Sequence, residues 1–254
     1  MRITSTTDRG FKKLFSGILN RGIAGSASVE GPVKKILDDV RRNGDRAVIG
    51  FTKKFDGVDL NSGLEVRDSE IEGALRGIPK KDLCLLKLSC RRIKEFHKRQ
   101  VQKSWSIKDR LGNTLGVNIT PVEAAGIYCP GGKASYPSTV LMNAVPARVA
   151  GVKDVSMATP PSKNGISPYV LAAARIAGVD RVYKMGGAQA IGAFAYGTET
   201  VKKVDKITGP GNIYVATAKR LVYGAAGIDM IAGPSEILII NDGAGDPRWM
   251  ALDL

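Results

Sequence analysis

The residues best placed to do chemistry cluster in 207–240, ITGPGNIYVATAKRLVYGAAGIDMIAGPSEILII, where two Gly-Pro loops, GPGN and AGPSE, bracket one amphipathic helix and an apolar run follows. A glycine-rich loop leading into a helix N-terminus presents unpaired backbone N–H groups and the positive end of the helix dipole to an anion. Asn212 stands where that loop meets the helix, so its amide either caps the helix or hydrogen-bonds a ligand. Ser235 and Glu236 bring a hydroxyl and a carboxylate to the start of an expected buried strand, and ligands of open α/β sheets sit at such strand and loop ends. The stretch reads as a nucleotide or substrate cradle.

Two further motifs have the same strand–turn–helix form. In GIYCPGGKASYPST (126–139), Tyr128 at a strand end either stacks on a ring or packs in the core, and Gly131-Gly132 permits close backbone approach to a ligand. MGGAQAIGAFAYGT (185–198) resembles a phosphate-type turn but lacks GxGxxG and a P-loop lysine–serine pair; Gln189 in its first helical turn faces either a ligand or solvent. His97, the only histidine, lies beside Lys98 and Arg99 and reads as structural. Without a histidine near Ser235 a Ser-His-Asp hydrolase is excluded within this chain. One histidine and the scattered cysteines Cys84, Cys90 and Cys129 build no closed zinc site, and the thiols read as reduced packing groups.

The elements that must position these residues follow from periodicity. Residues 32–56 read as two helices, the first burying Val33, Ile36, Leu37 and Val40 and ending at Gly44, the second burying Ala47, Val48, Phe51 and Phe55. Further helices are expected over 69–77 and 82–100, the latter with Leu86, Cys90 or Ser89, Ile93 and Phe96 or His97 on one stripe. This N-terminal third shows little chemistry. Alternating apolar residues around Leu111-Gly112-Asn113 predict a β-hairpin within 104–122. From Ala124 onward strands alternate with helices: GIYCP then 137–150, VSMATP then PYVLAAARIAG, RVYKMGG then AQAIGAFAYG, VDKITGP then NIYVATAKRLVYG, and EILIIND then DPRWMALDL. Pro137 suits an early helix position and Pro146 is expected to kink that helix. The alternation argues for an α/β fold with a mostly parallel sheet covered by helices on both faces.

Length and composition agree: 254 residues with 43% hydrophobic and 24% charged content can bury one large α/β domain or two smaller ones. No apolar run approaches the roughly 20 residues of a membrane span, and no signal-peptide core stands at the N-terminus, so a cytoplasmic protein with no membrane partner is expected. The formal charge of +14 is concentrated in residues 1–110, which hold 25 Lys and Arg against 14 Asp and Glu, or +11. Charge alone admits a nucleotide- or nucleic-acid-binding module, for which steep salt dependence of binding is the discriminating observation. Interspersed acids and the lack of interleaved aromatics favour a solvated basic face, and no nucleic-acid partner is expected.

Taken together the motifs resemble the histidinol dehydrogenase family, in order and spacing: FTKKFDG (51–57), GIYCPGGKASYPSTVLMNAVPARVAGV (126–152), GGAQAIGAFAYGT (186–198), DKITGPGNIYVATAKRLV (205–222) and GIDMIAGPSEILII (227–240). The resemblance covers the chain from about residue 33 to its last residue. It implies a zinc-dependent oxidoreductase of histidine biosynthesis that oxidises L-histidinol to L-histidine with two NAD. By motif, Tyr128, Gln189 and Asn212 match NAD-contacting positions and Ser235 a substrate-contacting one. The implied architecture is a homodimer of incomplete Rossmann-like domains with a helical N-terminal segment: an extension over 1–30, a first domain from 31–126 plus 236–254, and a second from 127–235. The family's zinc ligands and Glu-His acid–base pair fall beyond Leu254. The resemblance therefore assigns no catalytic residue and no metal ligand to this chain, and 1–254 alone is expected to be inactive. A related zinc alcohol dehydrogenase acting on another small alcohol, such as a sulfonated diol, fits the same motifs.

Overall fold

The computed structural model describes residues 4–19, 21–60, 63–131, 135–231 and 237–253, the side chains of 21–27 and 253 excepted. The chain divides into two compact units, residues 25–231 and residues 1–24 with 232–254. Helix α1 (Phe11–Leu19) belongs to the smaller unit. Helix α2 (Arg21–Asp56) is interrupted at Gly44 (φ 52°, ψ −132°), where the sequence places the end of one helix and the start of the next. Helices α3 (Asp68–Gly77) and α4 (Lys80–Lys98) follow, and the stripe Leu86, Cys90 and Ile93 of α4 packs on the core while Phe96 is exposed. Strands β1 (Trp105–Lys108) and β2 (Thr114–Val117) form the expected antiparallel hairpin, exposed along its whole length.

The alternating part then runs β3 (Ala124–Tyr128), α5 (Pro137–Ala150), β4 (Asp154–Thr159), α6 (Pro168–Ala177), β5 (Arg181–Lys184), α7 (Gly187–Tyr196), β6 (Lys206–Thr208), α8 (Ile213–Val222) and β7 (Gly227–Ile228). Helix α5 starts at Pro137 as its fixed φ suggests, and it continues through Pro146. All five strands pair in parallel in the order β5-β4-β3-β6-β7. Counted within the sheet this is 3-2-1-4-5, the doubly wound order, in which the chain reverses direction across the sheet between β3 and β6. The fold class is therefore α/β with a parallel sheet of Rossmann type.

The sheet is buried on both faces, which is why its strands read as continuous apolar runs rather than alternating ones. One face carries α5 and α6 with α3 and α4 behind them, around Ile127, Leu141, Val155, Met157 and Leu171. The other carries α7 and α8 with α2, around Val33, Leu37, Val40, Ile191, Phe194 and Val215. The smaller unit ends in α9 (Pro247–Asp253), which opens at Asp246-Pro247 as its capping residues suggest. One expectation fails here. Residues 237–242 form no strand, and Ile237, Leu238 and Ile240 are exposed. Apolar β-branched composition favours a strand, but a strand also needs a neighbour for its backbone groups, and among the described residues none pairs with it.

Candidate functional site

A cavity of about 1090 Å³ opens beside the switch point, at the carboxyl ends of the parallel strands. Four of the five strands contribute at their carboxyl ends: Tyr128 at the end of β3 and Pro130 after it, Pro160 and Lys163 after β4, Gly187 and Gln189 after β5, and Asn212 and Tyr214 after β6. The opposite wall comes from α2, with Lys35, Asp39, Phe51, Phe55 and Asp56. The structure thus brings Tyr128, Gln189 and Asn212, distant in sequence, to one cavity. Ser235 and residues 132–134 lie outside the described residues.

Tyr128 ends β3 with its side chain in the core, 4% exposed, rather than as an open stacking platform. Its hydroxyl oxygen accepts the Gly187 N–H at 3.1 Å. Burial, with the Asp56 carboxylate adding to it, pushes the phenol up to about 12, against the opposing pull of the Gly187 N–H. At neutral pH the hydroxyl keeps its proton and can donate. Gln189 is not the solvent-facing residue its helix position allowed, being 1% exposed. Asn212 performs the capping role: its Oδ1 accepts from the Tyr214 and Val215 N–H groups, both at 3.1 Å, which leaves only the Nδ2 end of the amide for a ligand.

The GPGN loop is held rigidly under this site. The Gly209 N–H donates to Asp229 Oδ2 at 2.9 Å, and the Gly209 carbonyl accepts from Lys219 Nζ at 2.9 Å. Lys219, 3% exposed, is itself ion-paired with Asp229. One buried cation and one carboxylate therefore fix both backbone groups of the loop residue that follows β6.

Among the described residues, two buried side-chain oxygens lack a hydrogen-bond partner, Gln189 Oε1 and Asp56 Oδ2, and both residues line this cavity. A buried acceptor without a donor costs about 1–3 kcal/mol, so each of these two oxygens calls for a donor from an ordered water, an ion or a ligand in the cavity. Phe51 and Phe55 stack at 5.8 Å on the same wall, correcting the expectation that Phe55 is buried: it is 53% exposed and offers a flat apolar surface. The α2 wall also corrects the view that the N-terminal third carries little chemistry. Sequence reasoning missed Asp56, although one signal marks it. It is the last residue of α2, and an acid at a helix C-terminus opposes the helix dipole.

Burial pushes the Asp56 carboxyl up to about 6 from its ordinary 3.8. The folded state therefore holds this proton more tightly than the unfolded chain. The burial cost is absent below the unfolded value and reaches its full size once the pH exceeds the folded one. At about 1.4 kcal/mol per tenfold in proton affinity the full cost is about 3 kcal/mol, which solvent access to the carboxyl reduces to about 1–2 kcal/mol. Asp56→Asn is expected to stabilise the protein by that amount at about pH 8 and to add nothing near pH 4. Urea unfolding of both proteins at the two pH values measures it; a loss of stability at the higher pH would contradict the assignment.

Among the described residues, no three His, Cys, Asp or Glu side chains assemble as a metal-binding group. The polar set of the cavity suits a nucleotide: a donor at Tyr128, acceptors at Gln189 and Asp56, and cations at Lys35, Lys54 and Lys163. Comparison with known proteins gives one consistent answer. The histidinol dehydrogenase family model matches residues 19–254. The histidinol dehydrogenase of Syntrophotalea carbinolica is 52% identical over 255 residues, covering 100% of this chain and 59% of that protein. That of Geobacter sulfurreducens is 52% identical over 256 residues, covering 100% and 60%. Among solved structures, the crystal structure of histidinol dehydrogenase from Elizabethkingia anophelis superposes with a TM-score of 0.83 at 38% identity, over 89% of this chain and 52% of that one. The chain thus spans about three-fifths of the length of these curated relatives.

Proposed function

Because the chain belongs to the histidinol dehydrogenase family, we propose that its switch-point cavity binds NAD and that the protein serves the oxidation of L-histidinol to L-histidine in histidine biosynthesis. The observation that carries the proposal is the convergence of Tyr128, Gln189 and Asn212 on a single cavity holding two unsatisfied buried acceptors. Bound NAD supplies a hydride acceptor. The chain's own residues bind and orient it. Gln189 Oε1 accepts from an N–H or O–H of the cofactor, the Tyr128 hydroxyl donates, and Asn212 offers Nδ2 while its Oδ1 keeps α8 capped. Lys35, Lys54 and Lys163 offset the pyrophosphate charge, and the Phe51–Phe55 face packs against a ring.

Ser235 belongs to the same proposal as a substrate contact. So do the domain plan of 31–126 with 236–254 and 127–235, the homodimer, and the cytoplasmic location. No helix among the described residues is long and apolar enough to cross a membrane, which is compatible with that location. Zinc is part of the family resemblance, which places its ligands beyond Leu254, and among the described residues no three His, Cys, Asp or Glu side chains come together to hold it.

The test is calorimetric titration of the purified protein with NAD. Gln189→Met keeps the side-chain volume and removes the orphaned oxygen, so it is expected to raise the melting temperature while weakening NAD binding about tenfold. Equal NAD affinity in the variant and the parent would remove Gln189 from the site. No saturable binding by the parent would overturn the cofactor proposal.

A further inference from the structure

We propose that Asp56 accepts hydrogen bonds from the 2′-hydroxyl side of the adenosine ribose and so sets the preference for NAD over its 2′-phosphorylated form, an inference that rests on the NAD reading of the cavity. In doubly wound nucleotide sites an acidic residue at the end of the second strand normally reads the ribose hydroxyls. Here the second strand of the sheet is β4, and it runs out through Thr159-Pro160-Pro161-Ser162-Lys163, with no acid among them. Pro160 and Pro161 also lack N–H groups, so this edge offers a sugar few backbone donors. The task falls to the facing wall, where α2 ends at Asp56.

Three features make Asp56 the residue that takes it. Its Oδ2 is buried and has no hydrogen-bond partner, in the cavity shared with Gln189. The neighbouring cations do not neutralise it: Lys53 Nζ donates to Asp59 at 2.7 Å, and Lys54 lies over the Phe55 ring at 5.5 Å. The unmet demand at Asp56 itself is therefore for donors, while Lys35 and Lys54 of the same wall remain the groups that face the pyrophosphate. A ribose presents hydroxyl donors, whereas a phosphate presents none and repels a carboxylate. With its carboxyl at about 6, Asp56 is mostly ionised at neutral pH and is a charged acceptor, the stronger kind.

The experiment titrates the purified protein and Asp56→Asn with NAD, NADP and the NAD analogue lacking the 2′-hydroxyl on its adenosine ribose. The parent is expected to bind the deoxy analogue and NADP each about tenfold or more weakly than NAD. In Asp56→Asn, NAD affinity falls about tenfold, the deoxy analogue loses little further, and the gap between NAD and NADP narrows. The parent's own ranking of the three ligands needs no variant, so the proposal is testable even if Asp56→Asn folds poorly. Equal binding of NAD and NADP by the parent would overturn it. So would a variant in which NAD and its deoxy analogue weaken by the same factor. If the parent binds none of the three, the NAD reading itself has failed, which is a separate outcome.

Discussion

Replacing Gly209 with alanine is expected to cost the protein about 4 kcal/mol, from backbone strain and overpacking together. Gly209 sits at φ +112°, a conformation that L side chains rarely adopt, and holding alanine there costs about 1–3 kcal/mol. A Cβ at this position would also meet the Tyr128 carbonyl oxygen well inside van der Waals contact. Neither backbone can retreat. Tyr128 is a strand residue paired in the middle of the sheet, and Gly209 is held through its N–H by Asp229 and through its carbonyl by Lys219. The second contribution, overpacking against rigid backbone, adds about 1–3 kcal/mol. Gly224→Ala separates the two. Gly224 has φ +102° with nothing within 4 Å of an added Cβ, so its alanine variant bears the conformational strain alone. For a domain of this size the Gly209 variant should melt about 10 °C or more below the parent, and Gly224→Ala only a few degrees below. Equal shifts for the two variants would show that the close approach of β3 and the GPGN loop contributes nothing.

That close approach joins two motifs that were visible in the sequence only as separate pieces. The parallel sheet was legible because strands buried on both faces must be apolar throughout, as in VSMAT and GIYC, and because glycine and proline punctuate every strand–helix junction. Tyr128, Gln189 and Asn212 were legible as residues at those junctions, and the doubly wound order explains why they share one cavity. Which of two roles each would take was not legible. Tyr128 and Gln189 prove buried, and Asn212 spends its oxygen on the helix cap, because burial and capping depend on the neighbouring chain rather than on the motif. The α2 wall was the least visible part. Its apolar stripe announced a packed helix, but nothing local says that Phe51, Phe55 and Asp56 close a cavity against loops far along the chain. The run at 237–242 misled for the complementary reason: β-propensity is local, whereas pairing is not.

Lys219→Met tests whether the loop beneath the cavity is held by charge or by packing. Methionine fills nearly the same volume, so the apolar environment of a residue 3% exposed is kept while the ammonium is lost. Two groups are then stranded. The Gly209 carbonyl loses its donor, and the Asp229 carboxylate loses its cation while still accepting the Gly209 N–H. Removing one partner of a buried ion pair costs about 3–5 kcal/mol, and the partial exposure of Asp229 places this case near 3 kcal/mol. The melting temperature should fall by about 6–12 °C. Lys219→Met combined with Asp229→Asn removes the uncompensated charge and should recover part of the loss, because the asparagine still accepts from Gly209 N–H. The two effects are coupled and will not add. Amide exchange locates the damage: protection should drop first at Gly209 and at Tyr214 and Val215, the two donors capped by Asn212. If NAD affinity falls in proportion to that lost protection while Tyr128 stays protected, the buried lysine acts on the site by holding the loop. Unchanged exchange across 209–215 would instead assign its whole contribution to the core of α8.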